Sequence, residues 1–236
     1  MLQLDDFEAL VRRRRAIRHF QPTPLPEGVL ERLLECARWA PSGYNLQPSY
    51  FVVVSDPERK RVLRTACLDQ PQVEEAPAVL VISGNARVAR EHIEEAVRLD
   101  REHQAITASY EGTLRRNIAL AFATGPVGLQ RIAKWLLLPV RRLFLPTPGL
   151  PAVQMRFWLA KQGALCAMNY MLAAEAAGLS TVPMEGFDEA RVRKAVGLPR
   201  HHLPLLVIPT GYSADVDSRK MRLPLERLAH IEQFKR

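Results

Sequence analysis

The chain has three cysteines in 236 residues, Cys36, Cys67 and Cys166, odd in number and widely spaced. They form neither a disulfide framework nor a metal-ligand pattern, and this usage fits a reducing cytoplasm. No uncharged apolar run approaches the length of a membrane span. The N-terminal stretch Met1-Leu2-Gln3-Leu4-Asp5-Asp6 is acidic, unlike a signal peptide. No glycine-rich dinucleotide fingerprint, nucleophile–base pair or nucleic-acid-binding motif is present. These absences remove metal hydrolysis, triad chemistry and base readout from consideration, and leave chemistry carried by a bound cofactor.

What is present is positive charge and two polar clusters. Lys plus Arg number 33 against 25 Asp plus Glu, a net charge of +8 that favours anionic partners, a phosphate-bearing cofactor being the simplest. Hydrophobic content of 47% and the length suit one domain with a full core. Arg12 to Pro48 reads RRRRAIRHFQPTPLPEGVLERLLECARWAPSGYNLQP. The arginines suit an anion. The Ser42-Gly43-Tyr44-Asn45-Leu46-Gln47 loop suits a flat polar heterocycle, because short amide and hydroxyl groups on a Pro/Gly-fixed backbone donate and accept at set positions. Each half alone is more often a solvated helix end or a plain turn.

The coarse reading is mixed. Helices are expected over Asp5–Arg15, Glu27–Trp39, from Asp56-Pro57 with Arg59, Lys60 and Arg61 exposed, across much of Asn85–Glu111, over Phe157–Gly178, and over Glu189–Val196 behind an Asp188 cap. The runs Tyr50–Ser55, Ala78–Ser83 and Leu203–Thr210 are apolar without alternation and read as strands buried on both faces. His92 and His103 lie on a charged face and read as solvated. Between Leu129 and Leu145, Arg131, Lys134, Arg141 and Arg142 share one helical stripe. A lid with its apolar side on the core outranks peripheral membrane contact there, because Pro139 is expected to break the helix. The Phe157–Gly178 helix is apolar nearly all round from Gly163, so burial on every side, plausible across a dimer, is expected.

Taken together, Arg14-Arg15-Ala16-Ile17-Arg18-His19-Phe20, Ala37-Arg38-Trp39-Ala40, Pro41 to Pro48, Pro183-Met184-Glu185-Gly186-Phe187-Asp188 and the tail Lys220-Met221-Arg222-Leu223-Pro224 resemble the FMN-dependent nitroreductase family. The resemblance covers about residues 8–83 and 157–226. It implies an α+β fold, a central mostly antiparallel sheet flanked by helices, in an intertwined homodimer. One domain spans 1–236, with a subfamily-specific insertion at about 86–156. It implies FMN held at its phosphate by Arg14, Arg15, Lys220 and Arg222, with Arg18 beside the N1/C2=O side of the ring. Pro183, Met184, Glu185 and Gly186 would lie over the ring, a Glu185/Gly186 backbone N–H facing N5. Ser42, Asn45 and Gln47 would line the site from the partner subunit. Ala16 stands where the family usually has Ser, so it can offer only backbone. Gln70 and Gln72 match a ring-contacting segment loosely. NADPH or NADH would be the hydride donor, and a nitroaromatic, quinone or activated alkene the acceptor, in ping-pong order. Free-flavin reduction, enone reduction, oxidative ring fragmentation and a non-catalytic flavin-binding, membrane-associated protein are the alternatives.

Overall fold

A computed structural model describes residues 3–104, 107–215 and 220–234. Met1 and Leu2 of the acidic N-terminal stretch lie outside the described residues. The helices are α1 (Leu4–Arg13), α2 (Val29–Arg38), α3 (Pro57–Ala66), α4 (Gln72–Glu75), α5 (Val88–Glu91), α6 (Ile93–Glu102), α7 (Ala108–Phe122), α8 (Leu129–Arg142), α9 (Met155–Ala176) and α10 (Glu189–Ala195). The strands β1 (Ser49–Val54), β2 (Ala78–Asn85), β3 (Ser180–Thr181) and β4 (His202–Gly211) form one 4-stranded sheet in the order β1-β2-β4-β3. All three strand pairs are antiparallel. The architecture is α+β.

Side chains alternate across a strand, and here both faces of the sheet are covered. Val79 and Val81 join Leu63, Val73, Val192 and Val207 under α3, α4 and α10. Leu80 and Ile82 join Leu33, Ala37, Ala167, Tyr170 and Ile208 under α2 and α9. This is why β2 and β4 carry apolar residues without alternation. β1 departs from the expectation. It is an edge strand, half-buried over most of its length, with Tyr50 exposed.

Local signals set the helix ends. Asp56 accepts from Arg59 N at 2.9 Å, and Asp188 accepts from Arg191 N at 3.0 Å, each satisfying an orphan donor of the first turn. Gly178, at φ +74°, ends α9 in the left-handed region. Lys60, expected exposed, is buried instead. Its Nζ donates to Glu74 O at 3.0 Å and Ala76 O at 2.7 Å, tying α3 to the end of α4. The aliphatic stem follows the core while the ammonium finds carbonyls, which composition alone does not reveal.

The segment 86–156 packs around its own cluster. Val88, Val97, Leu114, Ile118 and Phe122 enclose Leu46, with Met155 and Trp158 against them. Two expectations for this segment fail. Pro139 does not break α8, which runs through it to Arg142. Nor does the apolar side of α8 pack on the core. Lys134 and Leu138 are the half-buried positions, and Ile132, Trp135, Leu136, Leu137 and Val140 are exposed. Lys134 Nζ donates to Leu120 O at 2.7 Å and Ala123 O at 2.6 Å, so the Lys134 side of the helix turns to the body while Arg131, Arg141 and Arg142 stay exposed. A cation at the carbonyl end of α7 is favoured by the helix dipole, and that fixes the orientation.

Helix α9 is also not buried all round within one chain. Leu159, Gln162, Cys166, Tyr170 and Ala174 face the sheet, whereas Phe157, Leu165 and Met168 are exposed along one stripe. No helix is long and apolar enough to cross a membrane among the described residues.

Candidate functional site

After α1 the chain runs extended beside β3. Ala16 bridges Thr181, and Ile17 N donates to Thr181 O at 3.2 Å. Gln21 N donates to Tyr212 O at 2.9 Å. Ile17 and Phe20 are buried anchors, which leaves Arg14 and Arg15 half-buried and Arg18 exposed. From the other end of the sequence, Lys220 Nζ donates to Val11 O at 2.7 Å and Arg14 O at 2.9 Å. The tail base is thereby fixed at the carbonyl end of α1.

The electrostatics of this cluster are unbalanced. Burial lowers the Arg14 pKa, and the nearby Arg222 lowers it further, opposed by Glu175. Burial also lowers the pKa of Lys220, with Arg14, Arg222 and Arg15 adding to the shift and Glu175 opposing it. Glu175 is engaged by Arg13, whose Nε donates to its Oε1 at 2.6 Å. Arg12 pairs with Glu8 on the surface of α1. The outer two of the four N-terminal arginines are thus paired as a solvated helix end would be, and Arg14 repels Arg222 and Lys220. A cleft of about 240 Å³ beside it is lined by Arg13, Arg15, Ile17, Glu175, Ser213 and Asp215. Asp215 also accepts from Arg18 N at 3.2 Å.

Pro183 to Gly186 lies at the end of the same sheet. Met184 exchanges both backbone hydrogen bonds with Val207, at 2.8 and 3.1 Å, and is buried. Beyond it Glu185 and Gly186 turn outward and are exposed. Among the described residues neither of their N–H groups donates a hydrogen bond. A Cβ built on Gly186 would meet nothing nearer than Gln70 Nε2 at 3.8 Å, so its face is open. Gln70 Nε2 donates to Gly186 O at 2.9 Å, and Gln72 Nε2 donates to Gln70 Oε1 at 2.9 Å. The loosely matching glutamines therefore brace this loop.

The Ser42–Gln47 loop lies elsewhere. Ser42 Oγ accepts from Gln47 N at 2.9 Å, and Gly43 N donates to Gln162 Oε1 of α9 at 2.9 Å. Tyr44, Asn45 and Gln47 all sit at positive φ, 57°, 51° and 49°, a costly backbone concentrated in one turn. Asn45 Nδ2 donates to Asp100 Oδ1 at 3.3 Å. Ser42, Asn45 and Gln47 line a cavity of about 580 Å³, closed by Tyr50, His92 and Cys166 among others. No residue of the cation cluster or of Pro183–Gly186 lines it. One chain therefore brings the basic residues together, sets Pro183–Gly186 at the sheet end, and keeps the Ser42 loop apart.

His92 corrects the solvated reading. Its Nδ1 lies 2.9 Å from Leu46 O and its Nε2 2.7 Å from the Tyr50 hydroxyl. A carbonyl only accepts, so Nδ1 carries a proton, and in the neutral ring Nε2 then accepts from Tyr50. No sequence signal links residues 46, 50 and 92, which meet only where the start of α6 packs beside the beginning of β1. Burial raises the Cys166 pKa, so that side chain meets a ligand as an apolar wall.

The sequence and the fold both match known proteins. Residues 11–212 match the model of the nitroreductase family. A Thermus thermophilus protein named NADH dehydrogenase is 34% identical over 223 residues, covering 94% of each chain. The oxygen-insensitive NAD(P)H nitroreductase of Salmonella typhimurium is 28% identical over 232 residues, 94% of this chain and 97% of the relative. A crystal structure from Exiguobacterium sibiricum, solved in complex with FMN, superposes with a TM-score of 0.71 at 23% identity, over 96% of this chain and 97% of that one. On the family match and the identity to the Thermus protein, the chain belongs to the nitroreductase family.

Proposed function

We propose that this nitroreductase-family enzyme binds FMN and passes reducing equivalents from NADPH or NADH to a nitroaromatic, quinone or activated alkene. The supporting observation is the mutual repulsion of Arg14, Lys220 and Arg222, with Glu175 engaged by Arg13. Such a group suits a phosphate dianion, which forms charge-assisted bonds with each base. The exposed N–H groups of Glu185 and Gly186 suit an acceptor atom of a flat ring. FMN bound there supplies the two-electron chemistry that the side chains lack.

The chain's own residues bind and orient. The four bases hold the phosphate, and Ala16 offers only main chain. Arg18, exposed in one chain, would bring its positive charge beside the ring. Gln70, through Gly186 O, holds the Glu185–Gly186 turn in position. Ser42, Asn45 and Gln47 complete the site from a second copy, because one chain keeps them apart from the bases. The exposed stripe of Phe157, Leu165 and Met168 on α9 is the matching surface for that copy, at helical i, i+8, i+11 spacing. The enzyme acts in the cytoplasm, consistent with three free cysteines.

Donor and acceptor share one face of the site, so the oxidised donor leaves before the acceptor binds. Initial velocities with NADPH and a quinone as varied substrates test this. Parallel double-reciprocal lines are expected; intersecting lines would contradict the shared site.

A further inference from the structure

The charge of this protein is not spread evenly. Residues 112–174 contain no aspartate or glutamate and eight bases, and the rest of the chain carries 25 of each sign, so the whole net charge of +8 lies in this segment. Arg115 and Arg156 are compensated from outside it, by Glu94, Glu111 and Glu189. The four bases of α8 are not. Among the described residues none of Arg131, Lys134, Arg141 and Arg142 pairs with a carboxylate.

The same helix has no buried residue, and its apolar side is turned outward. Trp135, Leu136, Leu137 and Val140 are exposed, and Leu143, Phe144 and Leu145 continue the patch beyond the helix, Phe144 at 78% exposure. An apolar surface this continuous on a soluble chain marks a contact site. Its own core cannot cover it, since Lys134 anchors the opposite side of the helix to the end of α7. A second copy meeting it symmetrically would set two segments without a carboxylate against each other, and like charges repel in such an isologous contact.

We propose that α8 together with Leu143–Leu145 docks on anionic lipid bilayers. The apolar side enters the boundary between headgroups and acyl chains, with Trp135 and Phe144 as the large anchors. Arg131, Arg141 and Arg142 flank that side and extend along it to lipid phosphates. The helix lies on the surface and does not cross it; at 14 residues it is about 21 Å long. This contact does not depend on the flavin reading.

The test is co-sedimentation of the purified full-length protein with sucrose-loaded vesicles, of phosphatidylcholine alone or mixed equally with phosphatidylglycerol. The protein is expected to pellet with the mixed vesicles only, and to be released as salt is raised. The double variants W135S/F144S and R141E/R142E alter exposed positions, and circular dichroism checks their fold. Each is expected to weaken partitioning at least about tenfold, the first by removing apolar anchors and the second by reversing charge. Wild-type protein left in the supernatant at low salt would overturn the proposal without any variant. Equal pelleting of folded variants would overturn it too. A smaller particle mass for W135S/F144S, with no vesicle binding by the wild type, would assign the face to a second copy and overturn it as well.

Discussion

Arg222 is the most informative single residue of the basic group, because its two effects have opposite signs. It repels Arg14 and Lys220 in the absence of an anion. Arg222→Ala is therefore expected to leave the thermal midpoint of the FMN-free protein unchanged or raised, while FMN affinity falls by about tenfold to a hundredfold, the worth of one hydrogen bond to a charged group. Fluorescence titration of FMN beside a melting curve separates the two. His202 gives a pH prediction. Burial lowers its pKa from 6.5, His201 and His92 add to the shift, and Glu91 opposes it. Because the folded value is depressed, the unfolded chain takes up this proton first as pH falls. Stability contributed by the neutral ring is complete above 6.5 and declines below it, toward the folded value. His202→Asn is expected to make the fall in melting temperature between pH 7 and 5 shallower; an unchanged slope would remove His202 from that role. At this scale the arginines and Pro183–Gly186 stand out in the sequence because they sit in contiguous motifs. Lys60 and His92 were misread because their partners, Ala76 O and Leu46 O, are 16 and 46 residues away in sequence.

Among the elements, α2, α9, β2 and β4 were legible because their periodicity, caps and lengths agree with one another. The orientation of α8 was not, since a basic stripe opposite an apolar one is compatible with either side facing inward. Helix α9 reads as buried all round because its exposed stripe, Phe157, Leu165 and Met168, is as apolar as the side that faces the sheet. The register of β4 makes a sharper prediction. A Cβ on Gly211 would lie 2.4 Å from Pro77 Cδ and 3.1 Å from Phe20 Cδ1, and neither ring is a flexible chain end. Gly211→Ala is expected to destabilise the fold by about 1–3 kcal/mol, read as a lower urea midpoint with an unchanged slope. The Ser42–Gln47 turn is held at three left-handed residues by the Ser42 hydroxyl. Ser42→Ala is expected to weaken FMN binding by about fivefold to tenfold, at a cost near 1 kcal/mol in stability, because one local hydrogen bond is lost and the turn relaxes.

For the molecule as a whole, the separation of the Ser42 loop from the basic group makes assembly and cofactor binding one question. Leu165 and Met168 are exposed on α9, and a carboxylate there would be desolvated by any copy that covers it. Leu165→Glu is expected to sediment as a monomer and to retain less FMN after desalting than the wild type. A monomer that keeps its FMN would show that one chain completes the site. The central claim, a flavin reduced by a nicotinamide donor in this fold, is tested most directly by the visible absorption spectrum of the desalted protein under anaerobic conditions, before and after NADPH or NADH. Flavin bands that bleach with either donor are the predicted result. A colourless protein that also fails to take up added FMN would contradict the cofactor and every site residue assigned to it.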